Sequence, residues 1–269
     1  MPTAVDDVPD KKSYKKKLEG LVDELDDLQR RLYAADKHSV LLVFQAMDAA
    51  GKDSTIRAVL SGVNPAGFQV YSFKKPSAEE LDHDFLWRTA KRLPQRGRIG
   101  VFNRSYYEET LVVRVHPEFL QAQKLPRETD QDSLWQERFE SIRDHERHLA
   151  RNGIVVLKFW LNVSPEEQKR RFLSRIDEKH KNWKFSSRDV EERNHWPAYM
   201  QAYEEALRAT SRPWAPWYAI PADDKPFMRL SVASIIVDSL KRLNLRYPRV
   251  TRDQRDELKE MRVLLERKE

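Results

Sequence analysis

Cysteine is absent from the chain, so neither a disulfide framework nor a thiolate metal centre is available to it. Long apolar runs are missing too. The longest, residues 40–44 and 154–157, fall far short of the roughly 20 residues that span a bilayer. The opening residues Met1 to Asp7 lack a charged region followed by an apolar stretch, so no secretory leader is expected. Seven histidines are scattered without a ligand-spaced pair, which argues against a histidine metal site. No internal repeat or low-complexity linker interrupts the chain. The expectation is a water-soluble cytoplasmic protein with no membrane partner.

Charge, by contrast, is plentiful. Of 269 residues 34% are charged and 40% hydrophobic, enough for one α/β core and short for two catalytic domains. The net charge is +6 and the isoelectric point about 9.3. Such a balance suits either a well-solvated surface or an anionic partner, and the placement of Lys and Arg has to choose between them.

Residues 12–37 read as an amphipathic helix, with Leu18, Leu21, Val22, Leu25, Leu28 and Leu32 at helical spacing. It either packs on the core or seams against a second subunit. Apolar runs at 39–44, 68–73, 99–102, 154–161 and 217–220 read as strands, the first buried on both faces. Helices are expected at 54–63, 77–92, 164–177, 190–209, 227–243 and 251–268. Ser77 and Glu80 form a capping box, and Ser164-Pro165 an N-cap with proline at the first helical position. Strands alternating with helices imply a parallel sheet covered on both faces, an α/β fold of five strands. One domain over 1–269 is expected: a helical arm at 1–38, a core at 39–247 and a terminal helix at 248–269. Four tryptophans, Trp183, Trp196, Trp214 and Trp217, read mostly as core or hinge packing.

The turn after the first strand, residues 45–55, reads Gln-Ala-Met-Asp-Ala-Ala-Gly-Lys-Asp-Ser-Thr. Against the phosphate-loop pattern G-x-x-x-x-G-K-[ST], Gly51 and Lys52 fit. Ala46 replaces the first glycine, and Asp53 replaces the metal-binding hydroxyl. A degenerate match gains weight here because a buried strand precedes it and a helix follows. Backbone N–H groups of Ala49, Ala50, Gly51, Asp53 and Ser54 would cradle phosphate, with Lys52 adding a cation. Without the hydroxyl, a Mg²⁺ ion needs other oxygens, and Asp48 and Asp53 are nearest.

The third strand runs into Asn103-Arg-Ser-Tyr-Tyr-Glu-Glu109. Ligands of open α/β sheets sit at the carboxyl ends of strands, which sets Asn103 and Arg104 beside the loop. Arg104 would neutralise charge on a transferring phosphoryl group, or else pair with Glu108 or Glu109. A second cationic stretch, Lys169 to Lys184, carries Arg171 and Arg175 on one helix face, as a kinase lid would, spanning about 166–195. Lys74 and Lys75 follow the second strand. Such a rim exceeds what one nucleotide needs and suits a long polyanion.

These segments, with Arg170-Arg-Phe-Leu-Ser-Arg-Ile176, Trp183-Lys-Phe-Ser186 and Asp189, resemble the family-2 polyphosphate kinases from about Tyr14 to Tyr247. The resemblance implies a P-loop kinase fold similar to thymidylate kinase, three α/β/α layers with a five-stranded parallel sheet and a helical lid. It implies Mg²⁺ dependence, with Mn²⁺ as an alternative, and transfer of phosphoryl groups between inorganic polyphosphate and nucleotides, AMP and ADP first and guanine nucleotides second. Asp48, Lys52, Arg104 and Arg175 are then catalytic, and Asp48 and Asp189 hold metal. Ala49, Ala50, Gly51, Asp53, Ser54, Lys74, Lys75, Asn103, Tyr106, Arg114, Arg171 and Lys184 contact substrate. Many members carry Asp-Arg where this chain has Asn103-Arg104. The segment from Asn103, followed by Val113-Arg-Val-His-Pro117, is similar to the class III branch, whose members phosphorylate both AMP and ADP. A homo-oligomer, dimer or tetramer, is implied as well.

Two rival readings stand beside this one. An ATP-dependent nucleoside monophosphate kinase explains the loop and the lid but not the extended cationic rim. A non-catalytic nucleic-acid-binding protein explains the basic surface but not the residues 48–52.

Overall fold

Ser39–Gln45 forms β1, every residue of it buried, because it lies between two other strands and under helices on both faces. β2 (Phe68–Ser72), β3 (Ile99–Asn103), β4 (Ile154–Asn162) and β5 (Trp217–Pro221) complete one parallel sheet in the order β2-β3-β1-β4-β5. The register pairs Phe44 with Asn103 on one side and with Phe159 on the other. The strand ends at Gln45, Asn103 and Asn162 therefore share one edge, and the loops that leave it are neighbours. The structure, a computed structural model, describes residues 1–6, 10–125 and 130–267.

In chain order the helices are α1 (Lys11–Ala35), α2 (Lys52–Leu60), α3 (Ala78–Leu81), α4 (Trp87–Ala90), α5 (Val112–Val115), α6 (Gln131–Arg151), α7 (Pro165–Asp177), α8 (Ser187–Glu191), α9 (Trp196–Thr210), α10 (Lys225–Arg242) and α11 (Arg252–Glu266). α1 and α2 pack with α10 on one face of the sheet. α6 and α9 cover the other, where β4 presents Lys158 to Glu146 and stacks Trp160 on Tyr203. The result is a three-layer α/β/α fold. Leu25 and Leu32 of α1 are fully buried and face α10, so the apolar stripe of α1 is spent within its own chain. Among the described residues no helix is long and apolar enough to cross a membrane.

Three helix expectations need correction. The helix over 77–92 is interrupted: its capping box opens only the single turn α3, and the Asp84 carboxylate accepts from the Leu86 N–H in the turn before α4. The helix over 190–209 is two, α8 and α9, joined by a 3-10 turn at Glu192–His195. Pro197 sits in the first turn of α9, where the proline's missing N–H costs nothing. The pattern does not flag α6 at all. Two of the positions α6 buries are Arg138 and Glu146, which break up its apolar stripe as read from sequence. Residues 7–9, 126–129 and 268–269, which the expected arm, core and terminal helix include, lie outside the described residues.

Candidate active site

The loop between β1 and α2 departs from ordinary backbone at two points. Ala49 and Gly51 both take positive φ, 59° and 107°. For alanine that conformation costs on the order of 1 kcal/mol, so surrounding contacts must hold it. They come from α7. Gln168 donates to the Asp48 carbonyl at 2.9 Å, and Arg171 Nη1 donates to the carbonyls of Ala49 and Ala50 at 3.1 and 2.6 Å. The other Arg171 nitrogen reaches Ala222 and Asp223, after β5, and its Nε bonds Glu167. The carbonyls of residues 48–50 are drawn toward α7, but the Ala50 amide, expected to face phosphate, instead donates to the Met47 carbonyl at 3.3 Å and closes the turn. Gly51 stands as N-cap of α2 without a side-chain hydrogen bond, so the first-turn amides remain open to an anion. A Cβ at Gly51 would meet Met228 Cε at 3.2 Å, a second reason for glycine there.

Lys52 curls back, its ammonium donating to the carbonyls of Ala46 and Met47 at 2.7 and 3.3 Å. Burial, and then the neighbouring Arg104 cation, lower its pKa to about 8. Ser54 turns its hydroxyl onto the Gly51 carbonyl. Asp53 accepts from the Asn103 amide at 2.5 Å, tying the start of α2 to the end of β3.

Arg104 follows β3 with φ 64°, its N–H bonded to the Phe44 carbonyl at 3.0 Å. Its guanidinium spans the site, 2.8 Å from Asp48 and 2.9 Å from Glu108. Those carboxylates, Glu108 foremost, hold it firmly protonated. Arg104 thus lies beside the loop, as its place at the end of β3 predicted, and makes the salt bridge to Glu108 that was the alternative reading of it. Gln45, the last residue of β1, donates to the same Glu108.

Asp189, on α8, is held by Arg175 of α7 at 3.1 Å. Burial, and then the charge of Asp48, push the Asp189 carboxyl up. Asp48, Arg104, Arg175 and Asp189 therefore act on one another electrostatically, although they come from the β1–α2 loop, the end of β3, α7 and α8. Asp48 and Asp189 are each paired with an arginine and still repel one another, and a divalent ion held between them would relieve that repulsion. Among the described residues no three carboxylate or imidazole groups come together to enclose one. The rest of its shell would have to come from substrate phosphate and water.

Other expected contacts lie elsewhere. Arg171 braces the loop from behind and is 7% exposed, so its donors are not presented to phosphate. Tyr106 is a core residue, 1% exposed, with its hydroxyl on Glu146. Arg114 pairs with Glu205 and lies over the Trp135 ring. Lys74 and Lys75 are exposed beyond β2, and the Arg88 guanidinium holds the Lys74 carbonyl. Lys184 stands over Trp183, which at 78% exposure is no core packing residue. Sequence reasoning passed over Gln168, Arg193 and Tyr203. Arg193 donates to Gln168, which in turn holds the Asp48 carbonyl. Tyr203, buried on α9, feels the charges of Glu108, Arg104 and Asp48. Helical spacing from Trp196 was the only signal that could have placed Tyr203 inward.

Comparison with known proteins identifies a family for nearly the whole chain. The family described as Polyphosphate kinase 2 matches residues 8–248. An ADP-polyphosphate phosphotransferase of Rhodopseudomonas palustris is 56% identical over 266 residues, 98% of this chain and 92% of that one. An AMP/ADP-polyphosphate phosphotransferase of Meiothermus ruber is 45% identical over 83% of this chain and 80% of its own. The crystal structure of polyphosphate kinase 2 from Arthrobacter aurescens TC1 superposes with a TM-score of 0.85 at 36% identity, covering 94% of this chain and 88% of that one.

Proposed function

This chain belongs to the polyphosphate kinase 2 family, and we propose that it moves the terminal phosphoryl group of inorganic polyphosphate to AMP or ADP, reversibly. It is a phosphotransferase with an α/β P-loop kinase fold. The observation that carries the substrate reading is the pairing of Arg104 with Asp48 in the loop that ends in Lys52, with the Arg175–Asp189 pair near enough for Asp189 to feel the charge of Asp48.

The attacking oxygen belongs to a phosphate already ionised at neutral pH, so no strong general base is needed. Catalysis then rests on positioning and on charge neutralisation. In this reading the amides of Ala49, Gly51, Asp53 and Ser54 cradle phosphate, and Lys52, Arg104 and Arg175 meet the charge that develops in transfer. Asp48 and Asp189 would hold a divalent cation, Mg²⁺ or alternatively Mn²⁺, which would supply charge neutralisation to the phosphates. Asn103 and Asp53 fix each other at the rim. Lys74, Lys75 and Lys184 lie along the path of the polyphosphate chain. Residues 1–269 act as one kinase domain with a lid at about 166–195, in a homo-oligomer. A cytoplasmic location goes with nucleotide substrates, and neither membrane nor nucleic acid has a part.

Purified protein offered polyphosphate with AMP, ADP, GMP or GDP, in a Mg²⁺ buffer free of ATP, tests the reading. Formation of ADP from AMP and of ATP from ADP is expected, with guanine acceptors slower. Transfer to AMP from ATP alone, with polyphosphate inert, would instead identify an ATP-dependent nucleoside monophosphate kinase.

A further inference from the structure

α11 is a 15-residue helix that buries none of its residues against its own chain. It is nevertheless well formed, opened by a capping box in which Thr251 and Gln254 satisfy each other's backbone N–H groups. It lies beyond residues 8–248, the part matched by the family. An isolated helix of this length is marginal in water, and packing of an apolar face is what normally holds one. Such a face exists. Leu258, Met261, Leu264 and Leu265 are 60%, 45%, 52% and 75% exposed, and at 100° per residue they fall on one stripe. Tyr247 and Val250, just before the helix, are exposed too, at 55% and 46%.

We infer that this stripe docks against α11 of a second copy of the chain, in a parallel, two-fold pair. Leu258, Met261 and Leu265 take the spacing of the inner seam of a coiled coil, three and then four residues apart. Glu257 and Leu264 flank the seam on one side, Arg255 and Arg262 on the other. In a parallel pair in register, Glu257 of one helix faces Arg262 of the partner subunit, and the two-fold axis makes that contact twice. An antiparallel pair would set arginine flank against arginine flank. Charge therefore selects the parallel arrangement as well as the like partner. α1, the other long amphipathic helix, has already spent its stripe on α10.

The absence of cysteine makes the test direct. Leu265→Cys in the full chain is expected, on oxidation, to give a disulfide-linked dimer as the main species on a non-reducing gel. Val263→Cys, on the outer side of the helix, should remain a single chain. Adding Glu257→Lys should cut the Leu265→Cys cross-linking rate about tenfold, and adding Arg262→Glu as well should restore it. Absence of cross-linking through Leu265→Cys, equal cross-linking through Val263→Cys, or failure of the reversed charge pair to rescue would each overturn the inference.

Discussion

The guanidinium of Arg104 lies 2.8 Å from the carboxylate of Asp48, a residue 56 positions earlier in the chain. The same group lies 2.9 Å from Glu108. The cation is thus held at the loop by two carboxylates, and if it acts in transfer as proposed, little reorganisation would remain for that step.

Arg104→Ala should lower kcat about 10²–10³-fold, the usual loss when one preorganised charge-stabilising group is removed. The fold should survive, because the side chain is only partly buried and Gln45 still holds Glu108. Steady-state kinetics beside a thermal melt checks both halves. Near-normal turnover in the variant would take Arg104 out of the catalytic group.

Lys52 gives a pH dependence with a definite sign. Burial, and then Arg104, lower its pKa to about 8, so its charge is present below that pH and lost above it. Since kcat/KM reports the free enzyme, kcat/KM for polyphosphate should fall as pH rises through about 8. Bound phosphate favours the ammonium, so the fall in kcat itself should come at higher pH. Lys52→Arg should move the kcat/KM decline to more alkaline pH. A profile unchanged by that substitution would assign the decline to another group.

Arg171 acts on the loop and not on the substrate. Arg171→Lys cannot reproduce the forked contacts to Ala49, Ala50, Ala222 and Asp223. Two or more buried carbonyls would lose their donors, at about 1–3 kcal/mol each. Urea unfolding should show the lower stability, and KM for polyphosphate should rise as Ala49 relaxes from its positive φ. Unchanged stability would mean that the brace is dispensable.

Lys158 and Glu146 form an ion pair at 2.5 Å, 0% and 1% exposed. Burial pushes the lysine pKa down and the carboxyl up, so each depends on the other to remain charged. Lys158→Met alone leaves a buried carboxylate without its cation and should cost about 3–5 kcal/mol. Combined with Glu146→Gln, which still accepts from the hydroxyls of Tyr106 and Tyr107, most of that loss should return. Chemical denaturation of both variants decides it; equal stability of the two would contradict the pairing.

Much of the architecture was legible because it is local. The strand at 39–45, the cap at Ser164 and the loop with Gly51 and Lys52 each declare themselves within a dozen residues. α6 was not legible, since Arg138 and Glu146 are polar by type and buried by partnership. The break before α9 was written in Pro197, but single-residue punctuation is easily outvoted by helical spacing on both sides.

By itself the sequence determined the α/β class, the position of the phosphate loop and the excess of cations around it, all properties of neighbouring residues and their types. Tertiary structure alone decided what each cation does. Arg171 and Arg175 are one helical turn apart on α7 and look equivalent in the chain, yet one grips loop carbonyls and the other meets Asp189. The difference lies in what packs against each end of that turn, which no spacing within the helix encodes.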